Sequence, residues 1–268
     1  MLHRTVKHLA AGYDRVRPPG TGVVILAYHR VGAGTTSRVD VPRSAFDDQM
    51  AMLADSGRVI DLDAAVDLLE GTASTTTASP VVITFDDGTG DFVDNAVPIL
   101  STYGLPATLY LSTAWVDREE PFWGTGAPLS WAALRDIGST GLVDFGSHTH
   151  DHVLLDRTDP TTVAAQLDLA NERIEDELHT TPTHFAYPKA LEPNADSLAL
   201  VRQRFRSAAL AGTRPNPIEG TDPHLLRRSP IQSGDDMRWY AAKAAGGMGL
   251  EDRLRDVANR LRYRRADR

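Results

Sequence analysis

Two adjacent aspartates, Asp86 and Asp87, directly follow the apolar run Val81–Phe85. That run is typical of a buried strand, so the carboxylates are expected where a strand gives way to a loop, which is where α/β barrels place their chemistry. Two carboxylates this close repel each other, and the pair needs a shared proton or a cation to be stable near neutral pH. A metal ion would satisfy that need.

A histidine cluster follows a second strand-like run further along the chain. His148 and His152 are spaced i, i+4, so a single helical turn would point both imidazoles the same way. With Asp87 they predict a site of two histidines and one carboxylate that holds a divalent metal and leaves positions open for water and substrate. His150 is expected to face away from these ligands, and Thr149 to make a local hydrogen bond in the turn.

Each motif has an ordinary alternative when it stands alone. Asp-Asp-Gly is commonly a solvated turn, and His-x-x-x-His is commonly a surface or capping coincidence. Here both motifs follow apolar strand-like runs, and the combination favours the metal site. The chain has no cysteine, so every ligand must be nitrogen or oxygen, and thiolate sites and cysteine nucleophiles are excluded.

The stretch Thr84–Gly88, Thr-Phe-Asp-Asp-Gly, together with His-Thr-His-Asp-His at 148–152, resembles the first two motifs of the polysaccharide deacetylase family. This family is the NodB homology domain of carbohydrate esterase family 4, and the resemblance covers most of the chain, from Val23 to Ile231. It implies a distorted (β/α)7 barrel and removal of an N-acetyl group from an amino sugar. By motif match it also implies Asp86 as the catalytic base. The same match makes Asp87, His148 and His152 the ligands of one divalent ion, with Zn²⁺ expected and Co²⁺, Ni²⁺ or Mn²⁺ as alternatives.

Two departures from the family's pattern concern the base and the acid. The third motif normally carries an arginine that orients the base, but here Phe-Ala-Tyr-Pro-Lys-Ala has Ala186 at that place. This resembles the Phe-Ala-Tyr-Pro subgroup, although Lys189 and Ala190 replace the more usual Tyr-Gly. The fifth motif normally supplies a general-acid histidine, whereas Leu-Leu-Arg-Arg-Ser-Pro offers Arg228 and no histidine.

The acid must therefore come from another part of the chain. Ala-Tyr-His-Arg-Val around His29 resembles an N-terminal motif of the biofilm-exopolysaccharide deacetylases, in which such a histidine takes over the acid's role. A histidine held by hydrogen bonds at a strand end is the alternative interpretation. The resemblance further implies that the backbone N–H of Lys189 stabilises the oxyanion. Tyr187 and Arg228 complete the candidates for substrate or oxyanion contact.

The length of 268 residues suits one large α/β domain. Alternating strand-like and helical segments support a barrel or a doubly wound sheet. We expect an amphipathic N-terminal extension at 1–22, the catalytic domain at 23–232, and a C-terminal helical extension at 233–268 that belongs to the same globular unit.

Three aromatic residues, Trp115, Phe122 and Trp123, lie close together in a segment that contains Gly and Pro. They are equally compatible with stacking on a sugar face and with folding under as a small hydrophobic cluster.

The formal charge of −8 argues against general nucleic-acid binding. Residues 1–8 lack the apolar core of a signal peptide, and no run of apolar residues is long enough to span a membrane, so a cytoplasmic protein is expected. The expected partner is a carbohydrate or glycolipid substrate. Basic residues near both termini, including Arg253 and Arg255 beside an apolar face at Leu254, Val257 and Leu261, offer a contact with a membrane surface or an acidic partner. The alternatives are a helix packed across the barrel bottom for the N-terminal segment and a solvated helix for the C-terminal one.

Two other functions are compatible with the same residues. The site could act on another linear amide, a formamide or an O-acetyl ester. The departures at Ala186 and Ala190 are also compatible with a non-catalytic carbohydrate-binding relative, although the presence of Asp86 argues against that, because a binding site does not need a base.

Overall fold

The computed structural model describes residues 7, 10, 12–14, 16, 18–77 and 79–251. In this part of the chain, seven parallel strands close into one barrel. In their order around the barrel they are Val24–Tyr28 (β1), Val81–Phe85 (β4), Ala107–Leu111 (β5), Val143–Ser147 (β6), His184–Ala186 (β7), Ser207–Ala211 (β8) and Leu226–Pro230 (β9). Two short strands, Arg30–Val31 (β2) and Asp40–Val41 (β3), pair with each other outside it. The predicted α/β barrel of seven strands is confirmed.

Helices surround the barrel. They are Arg43–Ser56 (α1), Leu62–Glu70 (α2), Val97–Tyr103 (α3), Thr113–Arg118 (α4), Trp131–Gly138 (α5), Pro160–Leu178 (α6), Ala195–Arg204 (α7) and Met237–Ala244 (α8). Side chains cap several of them at the N-terminus, as Ser130 does for α5 and Asp159 for α6. Short 3₁₀ turns lie at Phe122–Gly124, Pro188–Ala190 and Pro223–Leu225.

The helical segment from Phe92 to Tyr103 is divided into two elements. A π-helical turn at Phe92–Ala96 precedes α3. Pro98 explains the division, because a residue without a backbone N–H cannot complete the regular hydrogen-bond ladder four residues back.

Strands β1, β4 and β5 are buried along their whole length, as expected for apolar strands covered on both faces. The register pairs Tyr28 with Phe85, and the Asp86 N–H donates to the Tyr28 carbonyl at 3.0 Å. Ile25 on β1 is also paired with Arg228 on β9. The barrel closure therefore brings the residues after β1, the aspartates after β4 and Arg228 together.

A buried ion cluster joins both ends of the described chain to the barrel. Lys7 and Lys243 both donate to Asp235, the Lys243 contact being 2.9 Å long, and all three side chains are buried. The predicted face of Leu254, Val257 and Leu261 and the arginines beside it lie outside the described residues, as does half of the N-terminal segment 1–22. Among the helices that are described, none is both long and apolar enough to cross a lipid bilayer.

Candidate active site

The structure brings together the three residues that the sequence assigned to a metal. One ligand atom from each of Asp87, His148 and His152 can be chosen so that all three lie within 4.8 Å of one another, and all three residues are buried. Asp87 is the second residue after β4 and His148 is the first after β6, so the parallel barrel brings them to the same end.

The two histidines do not reach this position through a helical turn, and that part of the prediction was wrong. Residues 148–152 form an irregular bend. Thr149 and His152 have φ angles of 62° and 56°, and Asp87 has a φ of 79°, all in the left-handed region. Non-glycine residues adopt this conformation at a cost that surrounding contacts must offset, and such residues concentrate at functional sites.

The donor set fits a divalent cation. Asp87 Oδ1 lies 3.6 Å from Nε2 of both His148 and His152, too far for a normal hydrogen bond, and the three atoms leave room for an ion between them. The Nδ1–H of His148 donates to the Ala186 carbonyl at 2.7 Å, which turns Nε2 towards Asp87. An outer hydrogen bond of this kind orients most metal-binding histidines.

Electrostatics keep both imidazoles in the neutral form that binds metals. Burial lowers the pKa of His148 despite the charges of Asp86 and Asp87. Burial, followed by the neighbouring His148 and Lys189, lowers the pKa of His152 to about 2. Each histidine therefore offers a lone pair at neutral pH.

Asp86 is held by Arg228 rather than by a residue of the third motif. The guanidinium donates from Nη1 to Oδ1 at 2.5 Å and from Nη2 to Oδ2 at 2.8 Å, and both side chains are buried. Burial by itself would raise the pKa of Asp86, but the charge of Arg228, assisted by His148, outweighs it and holds the pKa well below its usual range. Arg228, predicted to contact substrate or the oxyanion, instead pairs with the candidate base.

His29 lies near the same carboxylate. Its Nε2 is 4.0 Å from Asp86 Oδ2, and its side chain is 27% exposed. Nδ1 is buried and has no hydrogen-bond partner within the described part of the chain. The ring thus reaches both the candidate base and solvent.

The loop after β7 carries the remaining candidates. Lys189 and Ala190 have φ angles of 57° and 54°, so the turn is left-handed where the family subgroup usually has a glycine. The Tyr187 ring packs in a hydrophobic cluster with Phe185 and Phe205, and its hydroxyl donates to the His224 carbonyl at 3.0 Å. Because the Tyr187 ring is buried in this cluster and its hydroxyl already has a partner, the structure does not support the predicted contact of Tyr187 with substrate. Alternation along the strand could have indicated this, since Phe185 and Tyr187 share one face.

Two of the three residues between the histidines, Thr149 and His150, behave as predicted. His150 Nδ1 lies 2.8 Å from the Thr113 hydroxyl and does not belong to the Asp/His/His group. The Thr149 hydroxyl accepts a hydrogen bond from the Val153 N–H at 3.1 Å.

The aromatic cluster is divided between buried and exposed rings, so folding under holds for Phe122 and stacking on a sugar stays a prediction for Trp123. The Phe122 and Trp123 rings lie 5.2 and 5.7 Å from the His152 ring, measured between centroids. Phe122 is buried and also contacts Trp115, whereas Trp123 is exposed. Arg30, which the sequence did not single out, donates to the carbonyls of Phe122 and Thr125 at 2.7 and 3.0 Å and fixes this loop. No local sequence pattern indicates these contacts, because they join residues 92 and 95 positions apart.

The fold and the site define a barrel protein with a carboxylate–histidine group at the carboxyl ends of its parallel strands. The sequence profile of the polysaccharide deacetylase family matches residues 73–204. The chain therefore contains a polysaccharide deacetylase domain, the NodB homology domain of carbohydrate esterase family 4.

Two relatives show the extent of the sequence similarity. A putative polysaccharide deacetylase, YxkH of Bacillus subtilis (strain 168), is 26% identical over 164 residues, which is 61% of this chain and 55% of the relative. Poly-beta-1,6-N-acetyl-D-glucosamine N-deacetylase of Staphylococcus aureus (strain MSSA476) is 31% identical over 131 residues, 46% of this chain and 44% of the relative. The chain thus spans about half the length of the relatives it matches.

Solved structures share the fold over a larger part of the chain. IcaB from Ammonifex degensii has a TM-score of 0.72 at 23% identity and covers 85% of this chain and 98% of its own. The Streptococcus pyogenes deacetylase PplD, solved in complex with acetate, has a TM-score of 0.69 at 21% identity, with 84% of this chain and 99% of its own covered. Similarity at this level of identity establishes the barrel.

Proposed function

We propose that the protein is a metal-dependent hydrolase that removes an N-acetyl group from an amino sugar in a polysaccharide, glycolipid or other glycoconjugate. The observation that carries the proposal is the buried Asp87, His148 and His152 group placed next to a carboxylate that Arg228 keeps ionised. The polysaccharide deacetylase domain and the similarity to a poly-beta-1,6-N-acetyl-D-glucosamine N-deacetylase support the substrate class.

Asp87, His148 and His152 would hold one divalent ion, with Zn²⁺ expected. Such an ion supplies Lewis-acid polarisation of the acyl oxygen and makes a nearby water more acidic. Asp86 takes the proton of the attacking water as the water oxygen bonds to the acyl carbon, and Arg228 fixes the plane of that carboxylate. The backbone N–H of Lys189 donates to the oxygen that becomes negative.

His29 completes the proton balance. As the carbon–nitrogen bond breaks, protonated His29 donates its proton to the leaving amine, because an amine leaves poorly without one. Asp86 has gained one proton and His29 has lost one, and their atoms lie 4.0 Å apart. A return of the proton from Asp86 to His29 resets both residues for the next turnover.

The same proposal includes the division of the chain into three segments. Residues 23–232 form the catalytic domain, and 1–22 and 233–268 are extensions of the same globular unit. The contacts of Lys7 and Lys243 with Asp235 support this division, because they tie residues of both outer segments to each other and to the end of β9.

Acetate release by the full-length protein from N-acetylglucosamine oligomers tests the function. We expect acetate release in the presence of Zn²⁺, Co²⁺, Ni²⁺ or Mn²⁺. The activity should be lost after chelation and should recover when the metal is restored. Asp86→Asn is the matched inactive control, which should bind the metal and release no acetate. Parallel assays of formamides and O-acetyl esters separate the related hydrolytic activities. Acetate release that does not respond to the metal would overturn the proposal.

A further inference from the structure

Trp123 presents an exposed indole beside the candidate metal ligands. Its side chain is 58% exposed, whereas the adjacent Phe122 is 1% exposed. The Trp123 ring lies 5.7 Å from the His152 ring, so the exposed face is at the mouth of the site rather than on a remote surface. An exposed aromatic face next to a carbohydrate site is suited to stacking on a sugar ring.

The protein holds this ring in place at a cost in backbone energy. Trp123 has a φ of 57°, which is unfavourable for a bulky side chain. Arg30, only 5% exposed, donates to the carbonyls of Phe122 and Thr125 and so fixes the loop on both sides of Trp123. Burial of a hydrophobic ring cannot account for this arrangement, because the ring is not buried. Presentation of the ring to a ligand does account for it.

Lys189 adds a positive charge to the same surface. Its Nζ lies 4.6 Å from the centre of the Trp123 ring. Lys189 is exposed, and no carboxylate of the described residues lies within 4.0 Å of its Nζ. Asp86 is already paired with Arg228, and Asp87 would be neutralised by a metal. The ammonium lies over the Trp123 ring and has no ion-pair partner among the described residues, so it can meet a negative group on a bound ligand.

We infer that Trp123 and Lys189 form a subsite for an acidic glycan, in which the sugar ring stacks on the indole and an anionic substituent, carboxylate or phosphate, meets the ammonium. The inference rests on the proposed function and specifies its substrate class. Arg30 is a positioning residue of this subsite. A neutral glycan would gain the stacking contact alone, so the charge on Lys189 should make the protein prefer the acidic form.

Three forms of one N-acetylglucosamine trisaccharide test this, with a hydroxyl, a carboxylate or a phosphate at the terminal 6-position. We expect kcat/KM for each acidic form to exceed that of the neutral form by about threefold, through KM, because an exposed ion pair has a small effect. Lys189→Gln should bring the acidic-to-neutral ratio to about one, and Lys189→Arg should preserve it. About 0.5 M NaCl should also reduce the ratio, since salt screens exposed charges.

The readout is the acidic-to-neutral ratio of kcat/KM within each variant. A general loss of activity lowers both values equally and leaves this ratio unchanged. Trp123→Ala should lower kcat/KM by about three- to tenfold for all three forms, the scale of a lost aromatic contact. Arg238→Gln is the matched control, because Arg238 is an exposed cation over the Trp239 ring on α8, 4.8 Å from its centre, and should not change the ratio.

Binding separates failure of the subsite from failure of the proposed function. The Kd values of the three trisaccharides are measured by calorimetry with metal-loaded Asp86→Asn protein, which should not consume them. The proposed function fails and the subsite stands under one combination of results. The wild-type protein hydrolyses none of the three forms, the Asp86→Asn protein binds the acidic forms more tightly, and adding Lys189→Gln to it removes that difference in Kd. Equal Kd values for acidic and neutral forms, or a ratio unchanged in Lys189→Gln, would overturn the subsite.

Discussion

Arg228, on the last barrel strand, donates two hydrogen bonds of 2.5 and 2.8 Å to Asp86, which follows the second barrel strand. In the family motif the arginine that orients the base belongs to the strand where this chain has Ala186. Here the guanidinium enters from β9 and meets the same carboxylate across the barrel closure. The small Ala186 instead offers its carbonyl to His148. The arginine in the fifth motif thus takes the place of the arginine that is missing from the third motif.

The pairing predicts a double effect of replacing Arg228. Arg228→Met should leave Asp86 buried without a counter-charge, which destabilises the protein by about 3–5 kcal/mol and raises the pKa of Asp86. Turnover should fall by about a hundredfold, since the base would lose both its orientation and part of its ionised fraction. Urea unfolding and the pH dependence of kcat check the two effects.

Arg228→Lys is the informative comparison. It keeps a positive charge but cannot form the planar pair of hydrogen bonds, so it should recover most of the stability and only part of the activity. Full activity in Arg228→Met would show that Asp86 does not need this partner.

Metal binding should depend on each histidine of the predicted group. His148→Ala or His152→Ala leaves two protein ligands, and a site of two ligands should lose tight binding of Zn²⁺. Metal content after gel filtration, measured by mass spectrometry, is the readout. His150→Ala is the control because its ring contacts Thr113, and it should retain the metal. One equivalent of metal retained by both ligand variants would exclude this site.

The sequence predicted the metal group because its members directly follow or nearly follow strands, and parallel strands of a barrel end at a common edge. It did not predict the conformation of His152, because the i, i+4 spacing is also satisfied by a bend with left-handed residues at Thr149 and His152. The Arg228 contact was not predictable from local pattern either. It joins residues 142 positions apart, and only the closure of the barrel makes them neighbours.

The ion cluster around Asp235 predicts a pH-dependent stability. Burial alone would raise the pKa of Asp235, but Lys243 and Lys7 outweigh it and lower that pKa. A lowered carboxyl pKa contributes stability above the pKa of the unfolded chain, about 4, and the contribution is lost as the pH falls towards the folded value.

Asp235→Asn should therefore destabilise the protein by about 3 kcal/mol at pH 7, because two lysines remain buried without their carboxylate. The difference from the wild-type protein should shrink as the pH is lowered below about 4. Urea unfolding at a series of pH values measures it. Asp196→Asn, on the exposed first turn of α7, is the control and should show a small difference. A difference for Asp235→Asn that does not depend on pH would contradict the assignment.

The role of His29 as the general acid is argued from the need of the leaving amine for a proton more than from a motif match. A histidine held by hydrogen bonds at a strand end would have partners for its ring nitrogens. In the described part of the chain, Nδ1 has no such partner, and Nε2 lies 4.0 Å from Asp86 Oδ2. This position favours the general acid, because it lies next to the base and is partly open to solvent. Arg228 cannot replace it, since a guanidinium keeps its proton at any working pH.

Two substrates separate an acid from a structural histidine. When an amide is cleaved, the leaving group is an amine, which needs a proton. When an activated aryl ester is cleaved, the leaving group is a stable phenolate, which does not. His29→Ala should therefore lower kcat/KM for an N-acetyl amide by about a hundredfold and lower that for an aryl acetate far less. The acid limb of the pH profile for the ester serves as an internal control, since it should follow Asp86 and the metal group alone. An equal loss on both substrates would mean that His29 supports the site without donating the proton.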